Sequence, residues 1–189
     1  MQLRGLVVLV GATALSAALA ACSDPAGGAT QLENACDDYC VLVLRNCTGA
    51  VAQYSDLSTC LATCETMELG TDGADEGNSV ECRTFWAAIS EGDTAMCTRA
   101  GPGGDGTCGQ NCESFCASTM QICADQVIPP YDSEAECLTA CGMYSTAERF
   151  DAGDIAGNTF ACRLYHMTAA STEPLTHCQH TGVDSAVCL

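Results

Sequence analysis

The chain of 189 residues contains no lysine: its six basic residues are all arginine, set against 24 aspartates and glutamates for a formal net charge of −18. So little positive charge excludes nucleic acid, whose phosphates need a basic surface, and disfavours direct docking on anionic lipid headgroups. Without lysine there is no phosphate-cradling Gly-x4-Gly-Lys loop, and neither a Gly-x-Ser-x-Gly elbow nor a His-Glu-x-x-His helix is present. Cys-x2-Cys is missing too, which removes tight structural zinc pairs, the thioredoxin-type redox motif and the c-type haem attachment site. Aromatic residues are only 5 % of the chain, so few large side chains can fill a core. The acids (Asp37, Asp38, Glu65, Asp75, Glu113, Asp132, Glu148, Asp184 among them) are dispersed rather than gathered, which reads as a solvated, self-repelling surface. With so many carboxylates, a pair of them identifies no catalytic centre, and the expectation is that the chain is not an enzyme.

What the chain has is cysteine. Sixteen of its seventeen fall into two matching sets of eight. Cys36, Cys40, Cys47, Cys60, Cys64, Cys82, Cys97 and Cys108 are spaced by 4, 7, 13, 4, 18, 15 and 11 residues. Cys112, Cys116, Cys123, Cys137, Cys141, Cys162, Cys178 and Cys188 are spaced by 4, 7, 14, 4, 21, 16 and 10. That register is a tandem duplication of an eight-cysteine module, over residues 35–109 and 110–189. Modules of about 75 residues sit near the size at which folds depend on staples, and disulfides are the expected compensation.

The seventeenth, Cys22, follows Arg4, the apolar stretch Leu6–Ala18 and a run of small residues, the pattern of an export signal over residues 1–21. The stretch is shorter than the roughly 20 apolar residues of a membrane-spanning helix. Leu19-Ala20-Ala21-Cys22 resembles the lipobox of bacterial lipoproteins, which implies lipid attachment at Cys22. Ordinary secretion with cleavage after Ala20 is the rival reading. It would strand an odd thiol in an oxidising compartment, whereas lipidation leaves sixteen cysteines split equally. In Gram-negative lipoproteins Ser23 after the lipidated cysteine implies the outer membrane. Residues 22–34, with Pro25, Gly27 and Gly28, are expected to be a flexible tether.

Within each module, Cys36-x3-Cys40 with Cys47, and Cys112-x3-Cys116 with Cys123, fall at offsets 0, 4 and 11, one narrow stripe of a helix. First helices are predicted over about 35–48 and 111–125. Val127-Ile128-Pro129-Pro130 marks the turn in the second module. Asp56 and Ser133 are predicted N-caps of second helices carrying Cys60-x3-Cys64 and Cys137-x3-Cys141, with Glu136 at capping-box spacing from Ser133. Ser79 and Thr159 are predicted caps of third helices running to about Ser90 and Ala170. The segments Cys97–Cys108 and Cys178–Cys188 read as irregular, Cys-closed loops. The fold class is therefore all-α and disulfide-rich: two tandem modules, each an antiparallel twin Cys-x3-Cys hairpin plus a third helix and a closing loop.

An antiparallel hairpin pairs first cysteine with last, giving Cys36–Cys64, Cys40–Cys60, Cys112–Cys141 and Cys116–Cys137. For the rest, the expected bonds are Cys47–Cys82, Cys97–Cys108, Cys123–Cys162 and Cys178–Cys188, all within one module. The twin Cys-x3-Cys pattern resembles the hairpin fold of the small mitochondrial intermembrane-space chaperones, in geometry alone.

All three histidines, His166, His177 and His180, lie in the second module, where the first has Trp86, Met96 and Arg99. If Cys162 and Cys178 bring their segments together, three imidazoles could converge on copper or zinc. The alternative is one half-buried ring and two surface ones, with no cofactor. Asp72–Asn78 lacks the alternating ligands of a calcium loop and reads as solvated. Asn46-Cys47-Thr48 matches the N-glycosylation pattern inside a predicted helix and carries no reading.

Taken whole, the lipobox, the paired Cys-x3-Cys, the Cys-Arg-x-aromatic elements at Cys82–Phe85 and Cys162–Tyr165, and the terminal Cys-loop-Cys elements resemble uncharacterised cysteine-rich lipoproteins of myxobacterial type. The resemblance spans Leu19 to Leu189 and implies no established activity. The expectation is an exported protein held in the bacterial cell envelope by its N-terminal lipid, a binding or interaction scaffold for an unknown protein or envelope partner. The alternative is copper or zinc binding at the histidines.

Overall fold

In the computed structural model, which describes residues 25–147 and 149–189, regular structure is helical. The first repeat holds α1 (Pro25–Asn46), α2 (Leu57–Cys64), α3 (Val80–Ile89) and α4 (Thr94–Ala100). The second holds α5 (Asn111–Ile122), α6 (Glu134–Cys141), α7 (Phe160–Ala170) and α8 (Pro174–His177). Short 3-10 turns lie at Gly49–Val51 and Cys178–His180, and no strand occurs among the described residues. The chain is an all-α, disulfide-rich protein.

Helix starts follow local chemistry. The Asp56 carboxylate accepts from the Thr59 amide, Ser79 from Cys82, Ser133 from Glu136 and Thr159 from Cys162, each satisfying an amide that the first turn leaves without a partner. In both repeats one parallel bridge, Glu68 to Ser79 and Ser145 to Thr159, ties the returning loop to the cap of the third helix.

The start of α1 departs from the sequence reading. Residues 22–34 are predicted as a flexible tether, yet residues 25–34 form the first turns of α1; the expected signal segment and Cys22 lie outside the described residues. Pro25 is tolerated because the first helical residue needs no amide hydrogen. The two glycines cost about 1 kcal/mol each. Packing offsets this: Leu32 and Ala35 lie against the first core, extending the stripe of Cys36, Tyr39, Cys40, Val43 and Cys47 back one turn. The closing segments are also less irregular than expected, since Cys97 sits in α4 and Cys178 opens a 3-10 turn.

Each repeat has its own core. Half-cystines make up much of the first, around Tyr39, Val43, Tyr54 and Val80. Phe115, Tyr131, Phe160, Leu164 and Met167 supply the centre of the second. Tyr39 meets Tyr54 edge-on at 6.1 Å, and Phe115 meets Tyr131 edge-on at 6.4 Å. The Tyr39 hydroxyl donates to the Ala100 carbonyl at 2.6 Å and pairs with Tyr54 at 2.9 Å. Phe115 has no hydroxyl, so in the second repeat Tyr131 donates to the Thr181 carbonyl at 2.6 Å and pairs with Tyr144 at 2.9 Å. Burial raises Tyr39 well above the usual tyrosine pKa and Tyr54 to about 12, so these are neutral hydrogen-bonding groups.

All sixteen described cysteines are bonded. The hairpins close through Cys36–Cys64, Cys40–Cys60, Cys112–Cys141 and Cys116–Cys137, the first-with-last pairing of an antiparallel hairpin. The other four bonds differ from the expected Cys47–Cys82, Cys97–Cys108, Cys123–Cys162 and Cys178–Cys188. The structure joins Cys47 to Cys97, Cys82 to Cys108, Cys123 to Cys178 and Cys162 to Cys188. The cause is the direction of the third helix. Asn46 donates to the Ala87 carbonyl and Cys47 contacts Ser90, so the C-terminal ends of α1 and α3 meet. Cys82, in the first turn of α3, is eight residues and therefore roughly 12 Å of helix away from that end. In the second repeat Cys123 packs with Ala170, at the end of α7, and with Cys178.

Among the described residues no disulfide crosses between the repeats, yet they interlock through polar contacts. Thr63 donates to Ser171 at 3.2 Å and Thr66 to Ser118 at 2.8 Å. The Ala152 amide donates to the Ala52 carbonyl at 2.6 Å. Gly109, at the junction, has φ +99°, and an added Cβ would lie 2.5 Å from the Ser114 hydroxyl. Glycine is required there.

Candidate functional site

The two repeats share a corner where the third helix, the short helix after it and the closing segment meet. In the first repeat this corner is a packing joint. The Trp86 indole donates to the Asp75 carbonyl at 2.8 Å, and the Arg99 guanidinium lies 4.4 Å above its ring. Such a cation over an indole is a common, sequence-tolerant stabiliser.

In the second repeat the same corner is built from imidazoles. α7 carries His166 one turn after Cys162; α8 ends at His177, and the 3-10 turn after it ends at His180. Cys178, between the last two, is bonded to Cys123 at the end of α5, while Cys162 is bonded to Cys188. Pro174 starts α8 and so sets where His177 falls. The structure brings all three sequence-predicted histidines together: one nitrogen of each lies within 4.8 Å of the others. His166 stacks on His177 at 5.0 Å between ring centres and meets His180 edge-on at 4.6 Å.

Hydrogen bonding fixes the ring states. His166 Nε2 faces the Ile155 carbonyl at 3.3 Å, the counterpart of the bond from Trp86 to Asp75. A carbonyl only accepts, so the hydrogen of the neutral ring sits on Nε2 and Nδ1 keeps its lone pair. That Nδ1 lies 2.8 Å from Nδ1 of His177, which therefore donates. His177 Nε2 lies 3.9 Å from the Glu173 carboxylate. His180 Nδ1 is buried and has no hydrogen-bond partner among the described residues.

Burial, with the neighbouring His180 and His177 rings, lowers the His166 pKa to about 4. His177 is lowered by burial and by His180, against an opposing pull from Glu173. Around neutral pH both rings are uncharged and able to donate electron pairs.

Cys162, His166 and Cys188 also lie close together, but the two sulfurs are bonded to each other and offer no thiolate. Two residues of the corner were not singled out from sequence. Ile155 acts through its backbone carbonyl, which leaves no side-chain signal, although its register with Asp75 could have pointed to it. Glu173 stands four residues before His177, a spacing readable in a helix. Beside the corner, Ile128, Pro129, Pro130, Gln179, Gly182 and Val183 line an open groove of about 210 Å³.

Residues 109–187 match the family model described as the BfoA family C-terminal domain. The match covers the second repeat from the junction glycine to the residue before Cys188, and so includes all three histidines. No curated protein and no solved structure matches the chain. Among the described residues no helix is long and apolar enough to cross a membrane. Eight disulfides fit an exported protein, since such bonds persist in oxidising compartments.

Proposed function

We propose that the chain is a lipid-anchored protein of the bacterial cell envelope, held at the outer membrane through Cys22, that works by binding rather than by catalysis. Its two stapled repeats form the scaffold, and the imidazole corner of the second repeat is the recognition element. One observation carries the reading: the repeats share bond pattern, caps and the carbonyl contact at this corner, but differ in its chemistry. Trp86 and Arg99 make a filled joint in one, whereas His166, His177 and His180 present lone pairs in the other. The odd cysteine supports the anchor, because the other sixteen are consumed in pairs.

The test is metabolic labelling with a radioactive fatty acid in a Gram-negative host, followed by membrane fractionation. The full chain is expected to take up label and sediment with outer membranes, and Cys22→Ala to lose both properties. An unlabelled chain recovered free in the periplasm or medium would overturn the anchor.

A further inference from the structure

We infer that the imidazole corner of the second repeat binds one divalent copper or zinc ion, with Nδ1 of His166 and one ring nitrogen each of His177 and His180 as its protein ligands. This rests on reading the corner as the recognition element and names its ligand; export and anchoring stand independently of it.

Geometry carries the inference. Two imidazole nitrogens bound to the same ion at about 2.0–2.1 Å sit roughly 3 Å apart, and the His166 and His177 nitrogens are already 2.8 Å apart. A proton holds them together in the metal-free protein, and an ion in its place needs only a small opening of the rings. The Ile155 carbonyl on the far nitrogen of His166 is the outer partner that fixes the tautomer of a ligating histidine.

An independent observation points to the same ligand. His180 Nδ1 is buried with no partner among the described residues, and leaving a buried polar nitrogen unpaired is costly. The first repeat fills the equivalent place with an indole and a guanidinium, so packing alone does not call for three imidazoles. A cation supplies what the unpaired nitrogen lacks.

The ligand set selects the kind of ion. With every described cysteine in a disulfide, thiolate is not offered, and imidazole nitrogen suits copper(II) and zinc among first-row ions. Covalent bonds hold the ligands in place: Cys123–Cys178 fixes the segment of His177 and His180, and Cys162–Cys188 fixes the turn before His166.

The experiment uses the oxidised chain, stripped of metal and titrated by calorimetry with copper(II) and, separately, zinc at neutral pH. One ion per chain is expected, because the first repeat lacks the ligands. His177→Ala and His180→Ala, at partly exposed positions, should each weaken binding at least tenfold while leaving the circular dichroism spectrum and all eight bonds intact. Electron paramagnetic resonance of the copper(II) form should show nitrogen hyperfine coupling that diminishes in each variant. Absence of binding, or binding unchanged in the double variant and therefore due to surface carboxylates, would overturn the site. The fatty-acid label at Cys22 is read separately, so failure of the metal site is distinguishable from failure of the anchor.

Discussion

Arg83 is fully buried, and its guanidinium is spent on neutral oxygens: the carbonyls of Ser79, Gly101 and Pro102, the Asn78 amide oxygen and the Ser114 hydroxyl. Burial pulls its pKa below the ordinary arginine value. Arg163, one residue after the matching cysteine, donates to the carbonyls of Thr159 and Cys188 and lies 3.8 Å over the Tyr144 ring. The recurring Cys-Arg pair is therefore a clamp joining the cap of the third helix to the closing segment. Arg83→Met strands several buried acceptors and should cost about 3 kcal/mol, read as a lower urea midpoint with the slope unchanged. Arg83→Lys should also destabilise, because one ammonium cannot reproduce a planar fork of five donors. The sequence displayed the repetition of Cys-Arg but not this role, since an arginine in an acidic chain ordinarily reads as a surface charge.

At the scale of elements, the helix caps are the features most directly readable from sequence. Asp56, Ser79, Ser133 and Thr159 each stand where a short polar side chain precedes an apolar stripe. Asp56→Ala should destabilise by about 1 kcal/mol in chemical denaturation. Its carboxyl pKa falls to about 2, chiefly through the Thr59 amide and the Ser58 hydroxyl. A folded pKa below the unfolded value means that the unfolded chain takes up the proton first. The cap's contribution is then full above about pH 4 and fades toward pH 2, and wild type and variant should converge in stability over that window. What spacing could not reveal was direction. Twin Cys-x3-Cys pairs fix their partners as soon as two helices run antiparallel, but the remaining bonds depend on α3 running alongside α1 the same way round. That orientation comes from the long return loop and the bridge from Glu68 to Ser79, both of them backbone features. Non-reducing peptide mapping should recover Cys47 with Cys97 and Cys82 with Cys108; Cys47 linked to Cys82 would refute the parallel arrangement.

For the whole molecule, covalent and non-covalent order are divided differently. Every disulfide among the described residues stays inside a repeat, while hydrogen bonds, that of Arg83 to Ser114 among them, and the Arg149–Asp105 ion pair hold the repeats together. A chain cleaved at a protease site inserted after Gln110 should run as two fragments in non-reducing detergent gels, yet elute as one particle in native gel filtration. One band in detergent would mean a bond across the junction; two native particles would mean that the polar interface does not hold. The three histidines were visible in sequence as an asymmetry between repeats. Their convergence was also raised there as a possibility, but not the bond that positions them, since Cys178 reaches Cys123 at the end of α5 rather than Cys188. His180 is also the counterpart of an arginine, a substitution with no chemical meaning until the rings are seen together.

The early start of α1 bounds how far the folded body could stand from an anchor at Cys22. From Cys22 to Pro25 there are three Cα–Cα steps, a chain length of at most about 11 Å. If Cys22 carries acyl chains as proposed, the stapled body would ride close above the bilayer instead of sweeping a wide volume on a long string. Partners would have to come to that layer, and the strongly acidic exterior would hold itself clear of the headgroups beneath.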